Sequence, residues 1–529
     1  MKKVEIFDST LRDGAQAEGI SFSVADKLKI VTALDELGVS YIEAGNPSSN
    51  PKDLEFFKEV KKLTLKYAKL VAFGSTRRRN IKVEEDSNVQ SLLEADTPVI
   101  AVFGKTWDFH VTEIIQASLE ENLQMIDDTV RYLKAHHKEV IFDAEHFFDG
   151  YKHNKEYALA AIMKAQEAGA DCLVLCETNG GAFPDDVYEI VKDVVSKVKI
   201  PVGIHTHDDT GLGVANSMMA VLAGATHVQG TLVGFGERCG NANLSTIIPN
   251  LQLKRDYDCI PQENIAKLTS IAIRISEIAN ITLKEQMPYV GKSAFAHKAG
   301  MHIDGVNKSS TSFEHVSPEV VGNQRRFLMS EVAGRSTILE KIRRISPQIN
   351  KDDEVTKKII NRIKELEYKG YQFEGADGTF ELLVRKALGK YQPFFDLEAF
   401  KIIEEDPSAK EGLSSSAIIK VSVDGKSEMT AAEGEGPVNA LDKALRKALE
   451  VFYPELKEVH LTDYKVRVLD TKLATASKVR VLIESTDGIE YWSTVGVSTD
   501  IIEASWIALV DSIEYKLIKD IEKKFKAYL

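Results

Sequence analysis

Eight short apolar runs, each followed by an amphipathic helical stretch, occupy the first half of this 529-residue chain. The runs fall at 4–7, 41–45, 70–73, 99–103, 140–144, 172–176, 202–205 and 227–232. The helical stretches fall at 25–37, 51–63, 87–95, 119–135, 155–168, 185–198, 213–223 and 244–251. In the first of them Leu28, Ile30, Val31, Leu34 and Leu37 make an apolar face at helical spacing. Eight β-then-α units in about 250 residues is the count of a parallel (β/α)8 TIM barrel, of class α/β. A doubly wound open sheet shares the alternation, because periodicity does not show closure. The barrel makes one demand: its chemistry must sit just after the strands, on the C-terminal rim.

Polar and charged clusters do follow the strands. Ser9-Thr10-Leu11-Arg12-Asp13-Gly14-Ala15-Gln16 comes after the first, and Glu43 lies inside the second. Arg77-Arg78-Arg79 follows the third, Glu145-His146 ends the fifth, and Glu177-Thr178-Asn179-Gly180 follows the sixth. The seventh runs into His205-Thr206-His207-Asp208-Asp209, and the eighth into Gly234-Phe235-Gly236-Glu237-Arg238-Cys239-Gly240-Asn241. Side chains alternate along a strand, so His205 and His207 share a face. Two such imidazoles are either a hydrogen-bonded pair or metal ligands. With the Asp13 carboxylate and the Asn241 oxygen they form a mixed N/O set suited to Zn²⁺, Mn²⁺ or Mg²⁺. Arg12, beside Asp13, is placed to donate to an oxygen on which negative charge grows.

Beyond the barrel, 260–283 reads as helical. The segment 291–305 concentrates small residues around His297 and His302, and 341–369 is a charge-rich helical connector. From about 414 the chain holds a weak repeat of strand–strand–helix units, with hairpin turns at Asp424-Gly425 and Asp487-Gly488. A net charge of −13 argues against nucleic-acid or anionic-membrane binding. No apolar run approaches the roughly 20 residues of a membrane helix. The N-terminus has no apolar core of a signal peptide, and the four cysteines show no metal or disulfide spacing, so a cytoplasmic protein is expected.

Leu11-Arg12-Asp13-Gly14-x-Gln16 with Lys27 beyond it, His205-x-His207-Asp208-Asp209-x-Gly211, and Gly234-x-Gly236-Glu237-Arg238-x-Gly240-Asn241 resemble the isopropylmalate, homocitrate and citramalate synthase family. The pieces stand in family order. Ser75-Thr76-Arg77-Arg78-Arg79, Phe103-Gly104-Lys105-Thr106-Trp107, Glu145-His146-Phe147-Phe148-Asp149-Gly150 and Gly370-Tyr371-Gln372-Phe373-Glu374-Gly375-Ala376-Asp377-Gly378 are similar to its long citramalate synthase branch. The resemblance implies a Claisen condensation of acetyl-CoA with a 2-oxo acid, then thioester hydrolysis. It implies a divalent metal on Asp13, His205 and His207, with Asn241 coordinating or nearby. Arg12, Glu43, Thr178 and Arg77 are expected around the 2-oxo acid, and Gly234, Gly236 and Asn241 around acetyl-CoA. Glu145 and His302 become the acid–base pair, with Arg12 as the third catalytic group.

The implied architecture is a catalytic barrel over 1–285, a helical linker region over 286–400 carrying His302, and a C-terminal α+β regulatory and dimerisation domain over 401–529 built of two ββα repeats. A homodimer with isoleucine as feedback inhibitor is expected. Phe103, Trp107, Phe147 and Phe148 suggest a small pocket and pyruvate as acceptor. A bulkier acceptor, as in isopropylmalate synthase, is the alternative. A lyase is disfavoured by the C-terminal domain, and a non-catalytic sensor by the intact set of metal and acid–base positions. One departure stands out. Where relatives carry a tyrosine that assists the histidine, this chain has Phe313, which cannot donate a proton, so His315 or another group takes over or the role is dispensable.

Overall fold

The computed structural model describes residues 2–47, 51–328, 338–339, 342–343, 345–349, 353–404, 415–469 and 477–528. The chain forms two compact units, Met1–Phe295 with Ser317–Gln324, and Ala296–Val316 with Arg325–Leu529. The stretch 286–400 is therefore divided between the two.

The first unit is a closed barrel of eight parallel strands. They are β1 (Glu5–Asp8), β2 (Tyr41–Glu43), β3 (Lys69–Ser75), β4 (Val99–Lys105), β5 (Glu139–Glu145), β6 (Cys172–Glu177), β7 (Val202–Thr206) and β8 (His227–Gly230). Closure is made by β1 on β8, with Glu5 opposite His227 and Asp8 opposite Gly230. The first helix, α1 (Val24–Leu37), shows how punctuation sets the units. Ser23 and Asp26 form a reciprocal capping box at its start, and Gly38, at φ 94°, ends it in a left-handed turn.

Every second residue of a strand faces the bore. The lower bore is apolar, filled by Phe7, Tyr41, Val71, Val99, Ala101, Ile141 and Val174. Two residues further along the same strands the lining turns polar: Tyr41 is succeeded by Glu43, Ile141 by Asp143, and His227 by Gln229. The barrel thus has a packed floor and a charged upper layer. The boundary is one pleat repeat thick.

The second unit holds a helix α4 over Gly300–Lys308 (after α2, Leu119–Ala135, and α3, Phe147–His153, in the barrel). Of the expected connector, residues 341, 344 and 350–352 lie outside the described residues; the remainder holds a helix over Glu354–Tyr368. The C-terminal repeat corrects the sequence expectation. Among the described residues three strands precede each helix of the repeat; the sequence marks all three in the second unit but only two in the first. β9 (Asp396–Glu404), β10 (Ser415–Val423) and β11 (Lys426–Gly434) precede α5 (Pro437–Leu449). β12 (His460–Val468), β13 (Val479–Thr486) and β14 (Tyr491–Ser498) precede α6 (Ile501–Tyr528). The overlooked strand, β9, is an edge strand exposed along nearly its whole length, so it lacks the alternation that marks β10. Both sheets and both helices contribute to one core, including Ile419, Leu445, Ile483 and Leu509.

His227 sits on the barrel floor with its ring 5.3 Å from Phe7 and 5.5 Å from Tyr41. Burial pushes its pKa down from 6.5 to about 4. Between those values the unfolded chain takes up a proton that the native core refuses, so stability is lost as pH falls. Exchanging His227 for Leu should remove that share of the acid sensitivity, up to about 1.4 kcal/mol per pH unit in the window. Thermal melts of both proteins from neutral pH downward check it. Parallel slopes would show that His227 is protonated without opening the floor.

Candidate active site

The first polar group over the floor is built on Arg12. Its Nε donates to Glu43 Oε2 at 2.7 Å and its Nη1 to Asp13 Oδ2 at 2.9 Å. The guanidinium carbon lies 3.8 Å from the centroid of the Phe73 ring, which itself stacks on Phe103. Ser9 ties the same corner together, donating to Glu43 and accepting from the Asp13 backbone N–H at 3.3 Å. Burial works to neutralise Asp13, but Arg12, His205 and His207 outweigh it and hold the carboxyl well below the usual range. Glu43, with no solvent exposure, is pushed up by burial against the pull of Arg12.

His205 and His207 face the bore from the end of β7, as the alternation requires. Their Nε2 atoms are 3.3 Å apart, and His205 Nε2 is 3.6 Å from Asp13 Oδ2. One donor atom from each of the three residues lies within 4.8 Å of the others. Burial, above all, pushes His205 down to about 3 and lowers His207 as well, so both rings are neutral and offer lone pairs. Two imidazole nitrogens facing at that distance share at most one proton, whereas a cation accepts both lone pairs. Asn241 donates from Nδ2 to Asp13 Oδ1 at 2.9 Å, while its own Oδ1 is buried with no hydrogen-bond partner among the described residues. Carboxylate, two neutral imidazoles and an unclaimed amide oxygen fit a divalent cation of the zinc, manganese or magnesium class.

The remaining rim residues divide. Glu145 ends β5 and pairs with Lys105, which ends β4. Thr178 Oγ1 accepts the His146 backbone N–H at 3.0 Å, which leaves the hydroxyl proton of Thr178 for another acceptor. The Thr178 carbonyl accepts from Arg238, whose guanidinium also grips Asp209 at 2.8 and 2.9 Å. Arg77 is engaged elsewhere. Its guanidinium is held at 2.8 Å by both Glu121 and Asp128 of α2, and only 6% of its side chain is exposed. It braces β3 against a helix of the outer layer and makes no contact with the Asp13 cluster.

In the eighth loop Gly236 makes space for a side chain of the protein itself. A Cβ on Gly236 would collide with the Asn241 amide, so the absence of a side chain there makes room for Asn241. Gly234 is left-handed, at φ 80°, and a Cβ there would lie in ordinary van der Waals contact with Asn241 and Asn243. Phe147 and Phe148, expected near a pocket, are fully buried on α3 and pack on each other and on Tyr151. The aromatic wall beside Arg12 is Phe73 with Phe103.

His302 lies in the second unit, on α4. The ring of Phe313 stacks on it with centroids 4.1 Å apart and planes 19° apart. Gly305 permits the approach, since a Cβ there would fall 2.6 Å from the Phe313 ring. The neighbouring Glu314 accepts from Arg325 at 2.6 and 2.5 Å and pairs with His297 at 3.0 Å, bracing the turn after the helix.

Asp143 and Gln229 are not among the sequence candidates, and Ser9 and Lys105 stand in the quoted motifs without a role. Asp143 offered the signal that singled out Glu43, an acid inside an apolar run. It is buried, and burial with the nearby Glu43 charge pushes its pKa up to about 8.

Three family matches follow one another along the chain. Residues 3–275 match the HMGL-like family, 289–370 the homocitrate synthase post-HMGL domain-like family, and 374–517 the LeuA allosteric (dimerisation) domain. An (R)-citramalate synthase of Aquifex aeolicus is 54% identical over 523 residues, covering 99% of both chains. One from Geobacter sulfurreducens is 52% identical over 522 residues, again 99% of both. The chain belongs to the (R)-citramalate synthase family. A probable 2-isopropylmalate synthase of Methanopyrus kandleri is more distant, at 32% over 512 residues, 97% of this chain and 98% of that one. The barrel of this citramalate synthase family member is the HMGL-like part, and the LeuA match covers both sheets, α5 and the first part of α6. Among the described residues, no helix is long and apolar enough to cross a membrane.

If the Asp13 cluster is the metal centre, Asp13→Ala removes its single carboxylate. The variant should keep the far-ultraviolet spectrum of the parent, lose high-affinity Mn²⁺ binding by calorimetry and lose turnover. Undiminished Mn²⁺ affinity in the folded variant would refute the assignment.

Proposed function

We infer that this chain is an (R)-citramalate synthase, condensing acetyl-CoA with pyruvate and water to give citramalate and CoA. The observation that carries the inference is full-length identity of 46–54% to five (R)-citramalate synthases. The convergence of Asp13, His205 and His207 gives that chemistry a place.

The residue roles are those the family resemblance implies, supported where the geometry bears on them. A divalent metal on Asp13, His205 and His207, with Asn241 beside them, would supply Lewis-acid polarisation of the keto oxygen. Arg12 is held in place by Glu43, Asp13 and Phe73, and its Nη2 carries no hydrogen bond to the protein among the described residues. It donates to the 2-oxo acid, and its orientation costs nothing at the moment of reaction. Thr178 donates its free hydroxyl proton to the substrate carboxylate. Glu145, paired with Lys105, takes a proton from the acetyl methyl. The carbanion attacks the keto carbon, and water then cleaves the thioester. His302 serves as the second acid–base group, activating that water. Arg77 is left out of the substrate shell, because Glu121 and Asp128 already engage it.

The pocket wall of Phe73 and Phe103 favours a methyl over a branched substituent. Thiol release with pyruvate, 2-oxobutyrate and 2-oxoisovalerate should rank them in that order by kcat/KM. A hydrophobic pocket discriminates each methylene by about 1–3 kcal/mol, so 2-oxobutyrate reacts slowly. A preference for 2-oxoisovalerate would make the chain an isopropylmalate synthase. In the same assay isoleucine should inhibit the full chain through the C-terminal module. Indifference to isoleucine and leucine alike would leave that module purely structural.

His302 belongs to a different unit from the metal ligands, and we propose that it serves the barrel of a partner in a homodimer. Mixing inactive Asp13→Ala and His302→Ala under subunit exchange then puts both lesions in one site and none in the other. Up to about half of the heterodimer's activity should return. Verified exchange without recovery would place His302 over its own barrel.

A further inference from the structure

Two buried side chains of the upper bore, Gln229 and Asp143, have no role in the reaction just described. Gln229 on β8 is the register partner of His205 on β7. Its Oε1 lies 3.0 Å from His205 Nδ1, and its Nε2 lies 3.0 Å from Asp143 Oδ1 on β5, across the bore. An amide oxygen only accepts, so His205 carries its proton on Nδ1. An amide nitrogen only donates, so the Asp143 oxygen fixes which end of the amide faces the imidazole. This holds for an ionised Asp143 and for a protonated one whose proton sits on Oδ2, which leaves Oδ1 an acceptor. His207 contrasts with this: its Nδ1 is buried with no partner among the described residues.

We propose that Asp143 and Gln229 are a positioning relay that fixes His205 in its Nδ1–H tautomer, presenting Nε2 as a lone pair toward Asp13 and His207 for the divalent cation. The alternative amide orientation would set an N–H against Nδ1 and drive the ring proton onto Nε2, where it blocks the cation. The relay rests on the assignment of His205 as a metal ligand. It extends that assignment to two strands that contribute no ligand.

The test titrates Mn²⁺ alone into the metal-stripped full-length chain and follows the free-ion electron paramagnetic resonance signal. Gln229→Met fills the volume but offers no acceptor to Nδ1–H, and its Mn²⁺ dissociation constant should rise about 10–100-fold. Gln229→Glu restores an acceptor at the same reach and should bind close to the wild-type value. A residue that merely fills space would give the opposite order, because a buried extra carboxylate is the more disruptive change. Should Gln229→Met fail to fold, Asp143→Leu leaves the amide in place but unoriented and should weaken binding in the same direction. Wild-type affinity in folded Gln229→Met, with binding lost in Asp13→Ala, overturns the relay and leaves the metal site standing. No Mn²⁺ binding by the wild-type chain overturns both.

Discussion

The upper bore of this barrel depends on one buried cation. Arg12 lies between Glu43 and Asp13 and over Phe73, in a place where an unpaired carboxylate would take up a proton. Removing the partner of a buried ion costs about 3–5 kcal/mol, because the remaining charge is stranded. Arg12 therefore does more than await a substrate. It keeps Asp13 anionic, an anionic Asp13 would attract a cation that His205 and His207 could share, and Glu43 holds the guanidinium in plane. Adjacent positions in sequence, 12 and 13, thus supply opposite charges to one site.

That layer is possible because the strand pleat separates it cleanly from the floor. Tyr41 and Glu43, Ile141 and Asp143, and His227 and Gln229 are neighbours on the same face of the same strands. Packing below fixes the register, and the fixed register aims the polar groups above. A slip of one residue on β5 would send Asp143 and Glu145 together to the helix side. Stability and chemistry therefore share the same alternation.

The alternation of runs and helices made the barrel legible, and the placement of chemistry after strands made Asp13, His205 and His207 legible as a group. Strand parity alone put both imidazoles on one face, and the structure brings them to 3.3 Å. What escaped has physical reasons. β9 is an exposed edge and carries no burial pattern. Phe147 and Phe148 look like pocket aromatics by position, but α3 turns them into the helix layer. Arg77 resembled an anion-binding group until Glu121 and Asp128, far away in sequence, were seen to claim it. Gly236 read as room for a ligand, and the room is taken by Asn241. In each case the deciding partner comes from another element, which local pattern does not reveal.

The ring stack of Phe313 on His302 has a consequence of its own. A tyrosine hydroxyl would hydrogen-bond one imidazole nitrogen and so choose its protonation. A phenyl face holds the plane of the ring and leaves both nitrogens alike. His205, in the relay proposed above, is pinned to one tautomer by Gln229, as a metal ligand would need to be. His302 is fixed in tilt by a ring that offers neither nitrogen a hydrogen bond, which in the role proposed for it suits a group that collects a proton on one edge and releases it from the other.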